Sequence, residues 1–522
     1  MNTLLKSALI VLLLTFTFAF LPTCGAVEYT DITVAEFLAI RDAESSPVIL
    51  DVRSVSEYES GHIRNAKLIP HTELPLRLEE LDRNDTILVY CRSGARSANA
   101  SQTLVNNGFL YIYNLLGGIL GWISEGHPVY VKYASIQEAI NNATDGDTIY
   151  VSSGTYYEHV NVTKPVSLMG ENVDTTIIDG NSSGSTIRIT SDNVSVSAFT
   201  LQEAGCACFG VDAGVHVENV NDNVNITGNL IQRNGYGIRL DSANNITIAY
   251  NTITDNDFGI DSAIYSSNNT IHGNSIIGNN DSLRLGFFSQ NEISGNDIRN
   301  SDHAIQLILS YNNSIHHNNF VNHTAYVTVT AANNTWDDGA EGNFWENTSS
   351  IDIDQDGIAD SPYAINGGEF DNYPFVNPIS FLRVVELPNE VLFINVASNS
   401  TVSNLQLNVN ETYINFNLTG PDGSIGHCRI RIPKRLLWAE EHEWMVFADD
   451  EVLLHQLTTD ATFTYLWFNY QHSTLTLKIQ GRQVISEVST QVAAIILVLA
   501  TLIVFLLRHQ QVIKTHTDLH LP

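Results

Sequence analysis

The sequence predicts a multidomain chain: a small α/β domain, a right-handed parallel β-helix, a β-sandwich-like domain and one C-terminal transmembrane helix. Three observations carry this. Short apolar strands alternate with helical stretches near the N-terminus, an Asn-x-Ile triplet recurs through the middle, and Val488 to Leu507 is an uncharged apolar run as long as a bilayer-spanning helix. At 522 residues the chain is long enough for several separate cores.

Residues 1–26 read as a secretory signal. Lys6 supplies positive charge, Ala8 to Leu21 is apolar, and Cys24-Gly25-Ala26 offers small residues for cleavage. The apolar run is shorter than the ~20 residues a spanning helix needs, which favours a cleaved signal over a first anchor. A lipidated Cys24 ranks second, because Leu21-Pro22-Thr23 makes a poor lipobox. At the other end, Arg508 and Lys514 follow the run at 488–507, which predicts a cytoplasmic tail at 508–522 and an exterior location from Val27 to Glu487. The expectation is a single-pass protein of the cell membrane.

Acidic residues outnumber basic ones by 57 to 25, a formal charge of −32, which excludes nucleic acid as a partner because phosphates require a basic face. Beyond the signal the cysteines are Cys91, Cys206, Cys208 and Cys428, too few for a disulfide-built scaffold, so packed cores must supply stability. About seventeen Asn-x-Ser/Thr sequons, among them Asn161, Asn181, Asn225, Asn322 and Asn417, fit a glycosylated exterior, although an Asn-rich repeat also generates them by chance.

The first domain, 27–130, places Val48-Ile49-Leu50 and Ile87-Leu88-Val89-Tyr90 on parallel strands between helices at Val34 to Arg41 and Ser97 to Asn107. In open α/β sheets chemistry sits at the carboxyl ends of strands, and Cys91 directly follows one. It opens Cys91-Arg92-Ser93-Gly94-Ala95-Arg96-Ser97, a polar loop feeding a helix. Backbone N–H groups curled around a sulfur, a helix N-terminus and two arginines stabilise a thiolate and lower its pKa. Such a thiolate attacks a sulfur donor, keeps the sulfur as a persulfide and releases it to a nucleophilic acceptor. The alternative, an ordinary buried cysteine, does not require two arginines and a glycine in its own loop.

This domain resembles the rhodanese family in four ordered blocks: Leu50-Asp51-Val52-Arg53, Glu57-Tyr58-Glu59-Ser60-Gly61-His62-Ile63, the Cys91 to Ser97 loop, and Gly117-Gly118 through Trp122 to Gly126-His127-Pro128-Val129. The resemblance implies a sulfurtransferase of the thiosulfate type with Cys91 as persulfide carrier and Arg92, Ser93, Gly94, Ala95, Arg96 and Ser97 cradling it. It also implies a thiosulfate-like donor, a thiol or cyanide acceptor, and no required cofactor. Asp51 and Arg53 are expected to hold the scaffold, and His62 to serve in a turn rather than as a base. Arg64-Asn65 departs from the family pattern, which commonly has Pro after Gly-His-Ile.

After Tyr130 the composition shifts to Asn, Ile, Thr, Ser and Gly, and 131–378 forms the next domain. Asn229-Leu230-Ile231, Asn251-Thr252-Ile253, Asn274-Ser275-Ile276 and Asn296-Asp297-Ile298 repeat with Gly237-Ile238, Gly259-Ile260 and Ala304-Ile305 in step. This period predicts β-helix coils with Ile and Val inside and Asn stacked at left-handed turns. Tyr133 to Ile140 is an amphipathic cap, and Gly146 to Val151 the first strand. From Ile136 through Gly154-Thr155-Tyr156-Tyr157-Glu158 to Leu168-Met169-Gly170-Glu171 the chain resembles pectin-lyase-like repeat proteins grouped with the copper-binding NosD family.

A β-helix that cleaves polysaccharide needs acids or bases grouped on one face, and the sequence displays no such group. Asp255 and Asp257 read as solvated turn residues, and His316-His317 as strand neighbours pointing to opposite faces, so copper is not predicted. Cys206-Ala207-Cys208 leaves three readings open: buried thiols, a redox bond, or pairing with another cysteine. The better metal signal is a candidate calcium loop, in which Asp352, Asp354 and Asp356 alternate before Gly357, and the Ile358 carbonyl and Asp360 complete the shell. Tyr363 stands where a full EF-hand loop has its twelfth-position acid, and a solvated acidic turn is the alternative. Ser361-Pro362-Tyr363 and Asp371-Asn372-Tyr373-Pro374 resemble the closing segment of archaeal repeat proteins.

Residues 379–481 alternate in runs such as Thr412 to Leu418 and Thr474 to Ile479, joined by turns such as Gly420-Pro421-Asp422-Gly423, which predicts a β-sandwich-like spacer next to the membrane. Two functions follow. The first is an exported sulfurtransferase with a β-helix for surface presentation or for binding a cell-surface glycan. The second is a non-catalytic carbohydrate-binding adhesion protein with an accessory rhodanese-like domain. Only the first needs a reactive thiolate at Cys91.

Overall fold

The computed structural model describes residues 28–484 apart from 44–46, 208–209, 331–332, 349–350 and 388–389. These residues form two compact units: one continues through Ser350 and includes Ser361–Pro374, the other comprises Ile351–Asp360 and the chain from Phe375 onward. The signal segment, Cys208 and the apolar run at 488–507 lie outside the described residues. Among the described residues no helix is long and apolar enough to cross a membrane.

The first unit begins with an α/β domain. Its strands are β1 (Thr30–Ile32), β2 (Val48–Asp51), β3 (Lys67–Leu68), β4 (Thr86–Tyr90) and β5 (Tyr111–Leu115), in the spatial order β1-β5-β4-β2-β3 with every pair parallel. Helices α1 (Val34–Ala43), α2 (Val55–Glu59), α3 (Ala95–Asn106) and α4 (Gly118–Ser124) connect and cover them. Every residue of β4 is buried, as a strand covered on both faces must be. Ile87 and Val89 pack with Leu50, Leu104 and Phe109 on one side, while Leu88 and Tyr90 pack with Phe37, Ile49 and Trp122 on the other.

The same unit continues as a parallel β-helix capped by α5 (Ile136–Asn142), whose Ile136 and Ile140 close the core. In-register columns fill the interior: Val196, Ile226, Ile248, Ile271, Ile293 and Ile315 on one sheet, and Leu201, Ile231, Ile253, Ile276, Ile298 and Phe320 on another. The Asn of each Asn-x-Ile triplet is buried and bonded to the next coil, with the Asn229, Asn251, Asn274 and Asn296 amides donating to Asn251, Asn274, Asn296 and Asn318 Oδ1 at 3.0 Å. The expected left-handed angles occur at other asparagines, Asn193, Asn223, Asn245, Asn268, Asn300 and Asn312 among them, but not at these four. The residue before each does so instead, namely Gly228, Tyr250, Gly273 and Gly295. The carboxamide is thereby free to satisfy buried backbone across the coil. The ladder ends where Asn343 N–H donates to Asp371 at 2.8 Å, beside the fully buried Trp336 and Trp345.

In the second unit two five-stranded antiparallel sheets enclose one core. Glu390–Ser398, Ile425–Pro433 and Phe463–Gln471 belong to one sheet, and Tyr413–Thr419, Leu475–Gln480 and Met445–Ala448 to the other. Ile394, Ile430, Leu466, Phe416, Leu477 and Ile479 meet inside.

Candidate active site

β4 delivers Cys91 to the carboxyl edge of the sheet, where the residue is 1% exposed. Gly94, at φ +99°, turns the loop so that its N–H donates to Sγ at 3.2 Å, immediately ahead of α3. The Ser97 hydroxyl lies 3.4 Å from the same sulfur and 3.0 Å from the Gly94 carbonyl. Burial opposes a charged sulfur, but the Ser97 hydroxyl and the backbone N–H groups of Ser97, Ser93 and Gly94 outweigh it and hold the Cys91 pKa below the ordinary thiol value. The loop is clamped from behind by α4, whose Ile119 and Leu120 amides donate to the Cys91 and Arg92 carbonyls at 2.9 and 3.1 Å. Gly118 is required there, because a Cβ would stand 2.5 Å from the Cys91 oxygen.

The two loop arginines differ. Arg92 is exposed and has no acidic partner among the described residues. Arg96 forms a fork with Glu57, its NH1 and NH2 donating at 2.8 and 2.6 Å. This pairing, reinforced by the Ser54 amide and hydroxyl against a burial cost, holds the Glu57 carboxyl down to about 2. Glu57 was not among the expected site residues. Its signal was the capping box Ser54-x-x-Glu57 at the start of α2, which aims the carboxylate toward the loop. Ser93 and Ala95 are exposed at the mouth. Asp51 and Arg53 lie away from the sulfur: Arg53 NH2 donates to Asp51 at 2.6 Å and to the Gly61 carbonyl at 2.8 Å, tying β2 to the next turn in a buried pair.

The domain that carries Cys91 matches known proteins. Residues 33–125 match the rhodanese-like domain. The sulfurtransferase of Allochromatium vinosum is 36% identical over 96 residues, which cover 18% of this chain and 90% of that protein. The chain belongs to the rhodanese-like family. The thiosulfate sulfurtransferase GlpE of Coxiella burnetii is 40% identical over 81 residues, 16% of this chain and 75% of that one. A crystal structure of a rhodanese-related protein from Thermoplasma volcanium is 35% identical and covers 20% of this chain and 100% of that one, with a TM-score of 0.19. Residues 140–350 match the family described as periplasmic copper-binding protein (NosD). A rhodanese-like sulfurtransferase domain is thus fused to a NosD domain built as a β-solenoid.

Among the described residues, the NosD domain brings together no set of copper-type donors. Copper favours imidazole and sulfur donors. His316 and His317 engage their Nδ1 atoms with each other at 2.7 Å, and His317 Nε2 faces Glu341 at 3.0 Å. The expectation that these rings diverge fails because His317 takes a left-handed φ of 59°, which swings its ring back beside its neighbour. Among the described residues, the one convergence of three metal-ligating groups is Asp352, Asp354 and Asp356, all oxygen donors outside this domain.

That convergence lies in the second unit and groups three of the five residues expected to bind calcium. Asp352 accepts the Asp356 and Gly357 amides at 3.1 and 2.9 Å, and burial pushes the Asp352 and Asp356 carboxyls up. The Asp360 carboxylate instead closes the loop by accepting the Ile353 amide at 2.7 Å, and Ile358 pairs with Phe375. Arg429 NH1 donates to the Asp356 carbonyl at 2.9 Å, so a protein cation already faces part of the loop.

The β-helix also carries a charged face that the sequence concealed. Arg188, His216, Arg239, Asp261 and Arg284 stand in register on successive coils. Arg239 bridges Asp241 and Asp261, His216 Nε2 lies 3.0 Å from Asp241, and the Arg284 guanidinium lies 3.6 Å from the Phe258 ring centroid, beside the stacked Tyr236. Their spacing of roughly one coil was the available signal, but unequal coil lengths and the mixture of Arg, His and Asp hid it. Asp255 and Asp257 are not part of this face. Cys206 is exposed.

Proposed function

We propose that this chain is an extracytoplasmic, membrane-anchored sulfurtransferase of the rhodanese type, carrying sulfur as a persulfide on Cys91. The observation that carries the reading is the Cys91 sulfur held among the Gly94 N–H and the Ser97 hydroxyl. The Cys91 thiolate attacks the outer sulfur of a thiosulfate-like donor. The new S–S bond forms on Cys91 as the donor's S–S bond breaks, and sulfite departs with the electron pair. A thiolate or cyanide then attacks the outer persulfide sulfur and regenerates the Cys91 thiolate. The N–H groups that stabilise the thiolate remain in place for the persulfide anion. Transfer from thiosulfate to cyanide by the full chain, lost in Cys91→Ser, tests the reading; transfer retained in that variant would reject it.

The exported location rests on the signal-like residues 1–26 and the apolar run at 488–507 with its trailing Arg508. Calcium binding at Asp352, Asp354 and Asp356 is supported by their convergence. Calorimetric titration with Ca²⁺, compared with Asp354→Asn, decides it: heat that is absent, or unchanged in the variant, excludes this loop.

A further inference from the structure

We propose that Glu57 is a positioning residue that selects the sulfur donor by charge, lowering the site's affinity for dianionic thiosulfate relative to the persulfide of a small organic thiol. The inference rests on the sulfurtransferase reading and assigns a donor class to the same site.

Both cations of the loop would ordinarily serve an anionic donor. Arg96, however, has both terminal nitrogens on the two Glu57 oxygens, and each side chain of the pair is about one-third exposed, 31% and 32%. The fork–fork geometry matches that of an Arg–oxyanion complex, so Glu57 occupies the guanidinium edge that a sulfonate would use. Glu57 is itself fixed, because the Ser54 amide and hydroxyl donate to its Oε2 at 3.2 and 3.0 Å. A donor reaching Cys91 therefore meets one cation without an acidic partner, Arg92, beside the Arg96–Glu57 pair, in which the carboxylate cancels the second cation. Two negative charges on thiosulfate feel that carboxylate about twice as strongly as the single charge of an organic persulfide.

The rest of the rim points the same way. Leu120, whose amide holds the Arg92 carbonyl, is 49% exposed, and Leu116, next to the Gly117 that packs beneath Gly94, is 48% exposed. Exposed aliphatic side chains on the segment that backs the loop offer contact to the body of an organic thiol and nothing to a sulfonate. In the step itself, the Cys91 thiolate attacks the outer sulfur of RSS⁻. The Cys91 persulfide anion forms, and the thiolate RS⁻ leaves with the electron pair of the broken S–S bond.

The test measures kcat/KM of the full chain with thiosulfate and with 2-mercaptoethanol persulfide, for the native protein and Glu57→Gln. Glutamine can keep both Ser54 hydrogen bonds through its carbonyl oxygen, while its NH2 group cannot accept from Arg96 NH2, so the change removes the charge and opens one arm of the fork. The expected result is a rise of about tenfold for thiosulfate and of at most about threefold for the persulfide, with the difference shrinking at high ionic strength. Equal changes for both donors, or a fall for thiosulfate, overturn the proposal. Glu57→Ala gives a second reading at a partly exposed helical position should glutamine not be tolerated. Ser54→Ala weakens the cap without changing charge and should leave the donor ratio unmoved. If neither donor places sulfur on Cys91 in the native protein, the sulfurtransferase reading itself fails, an outcome distinct from failure of the charge selection.

Discussion

His62 Nε2 lies 3.1 Å from Glu171 Oε1, joining the rhodanese-like domain to the β-helix through two side chains that are 1% and 3% exposed. The same carboxylate accepts the Asn65 amide at 2.8 Å and the Ser153 amide at 2.9 Å, while Arg64 Nε donates to the Glu171 carbonyl at 2.8 Å. This accounts for Arg64-Asn65 where the family commonly has Pro. A proline in either place lacks a donor the junction uses, and Asn65 at φ 59° tolerates the turn. The His62 ring stacks on Tyr58 with centroids 3.7 Å apart, so the junction also braces α2.

Glu171→Gln should destabilise this unit by about 1–3 kcal/mol, because a buried acceptor set is broken. Burial opposes the Glu171 charge, but His62 and the backbone amides outweigh it and hold its pKa below the ordinary carboxylate value. With the folded pKa depressed, the contribution is fully present above the unfolded pKa and disappears as pH falls through the folded one. Denaturant unfolding from neutral to acid pH should show this loss in the native protein and a flatter profile in the variant. Matching profiles would reject the role.

Ser97→Ala removes a donor from the Cys91 sulfur and should raise the thiol pKa. Alkylation by iodoacetamide, measured against pH, should have its midpoint displaced upward in the variant, with the rate plateau at high pH nearly unchanged. An unmoved midpoint would show that the backbone amides alone set the pKa.

Asp51→Asn leaves the Arg53 guanidinium buried beside a neutral amide, at a cost of about 3–5 kcal/mol. Thermal unfolding of the rhodanese-like domain should register this loss. A variant as stable as the native protein would mean that Gly61 and solvent satisfy Arg53 unaided.

Asn274→Ala should cost about 1–3 kcal/mol, since it strips the Asn251 amide and carboxamide of a shared acceptor and removes the side-chain donor to the Ile248 and His272 carbonyls. Hydrogen exchange should quicken at the Asn251 amide before it does elsewhere on the β-helix. Uniform exchange would contradict a local ladder role.

The legible parts of this protein were those written in contiguous residues. Cys91 to Ser97 contains nearly everything that touches the sulfur, so a seven-residue motif sufficed to locate it. The Asn-x-Ile period revealed the coils, because each triplet places one amide in the ladder and one Ile in the core. Left-handed turns were legible at asparagines such as Asn223, Asn245 and Asn268, whereas those just before the triplets were not, because that residue varies between Gly and Tyr. Pairings across long separations stayed hidden: Arg96 meets Glu57 39 positions away, and His62 meets Glu171 109 positions away. The β-helix face was obscured for a related reason, as Arg239, Asp261 and Arg284 form a group only once coils stack.

The most direct test of sulfur transfer at Cys91 is intact-protein mass spectrometry of the full chain after treatment with thiosulfate and, separately, with 2-mercaptoethanol persulfide, alongside Cys91→Ser. One added sulfur atom, localised to the Cys91 peptide, removed by cyanide and absent from the variant, is the predicted result. An unmodified Cys91 under donor excess, or sulfur added equally to the variant, would contradict it.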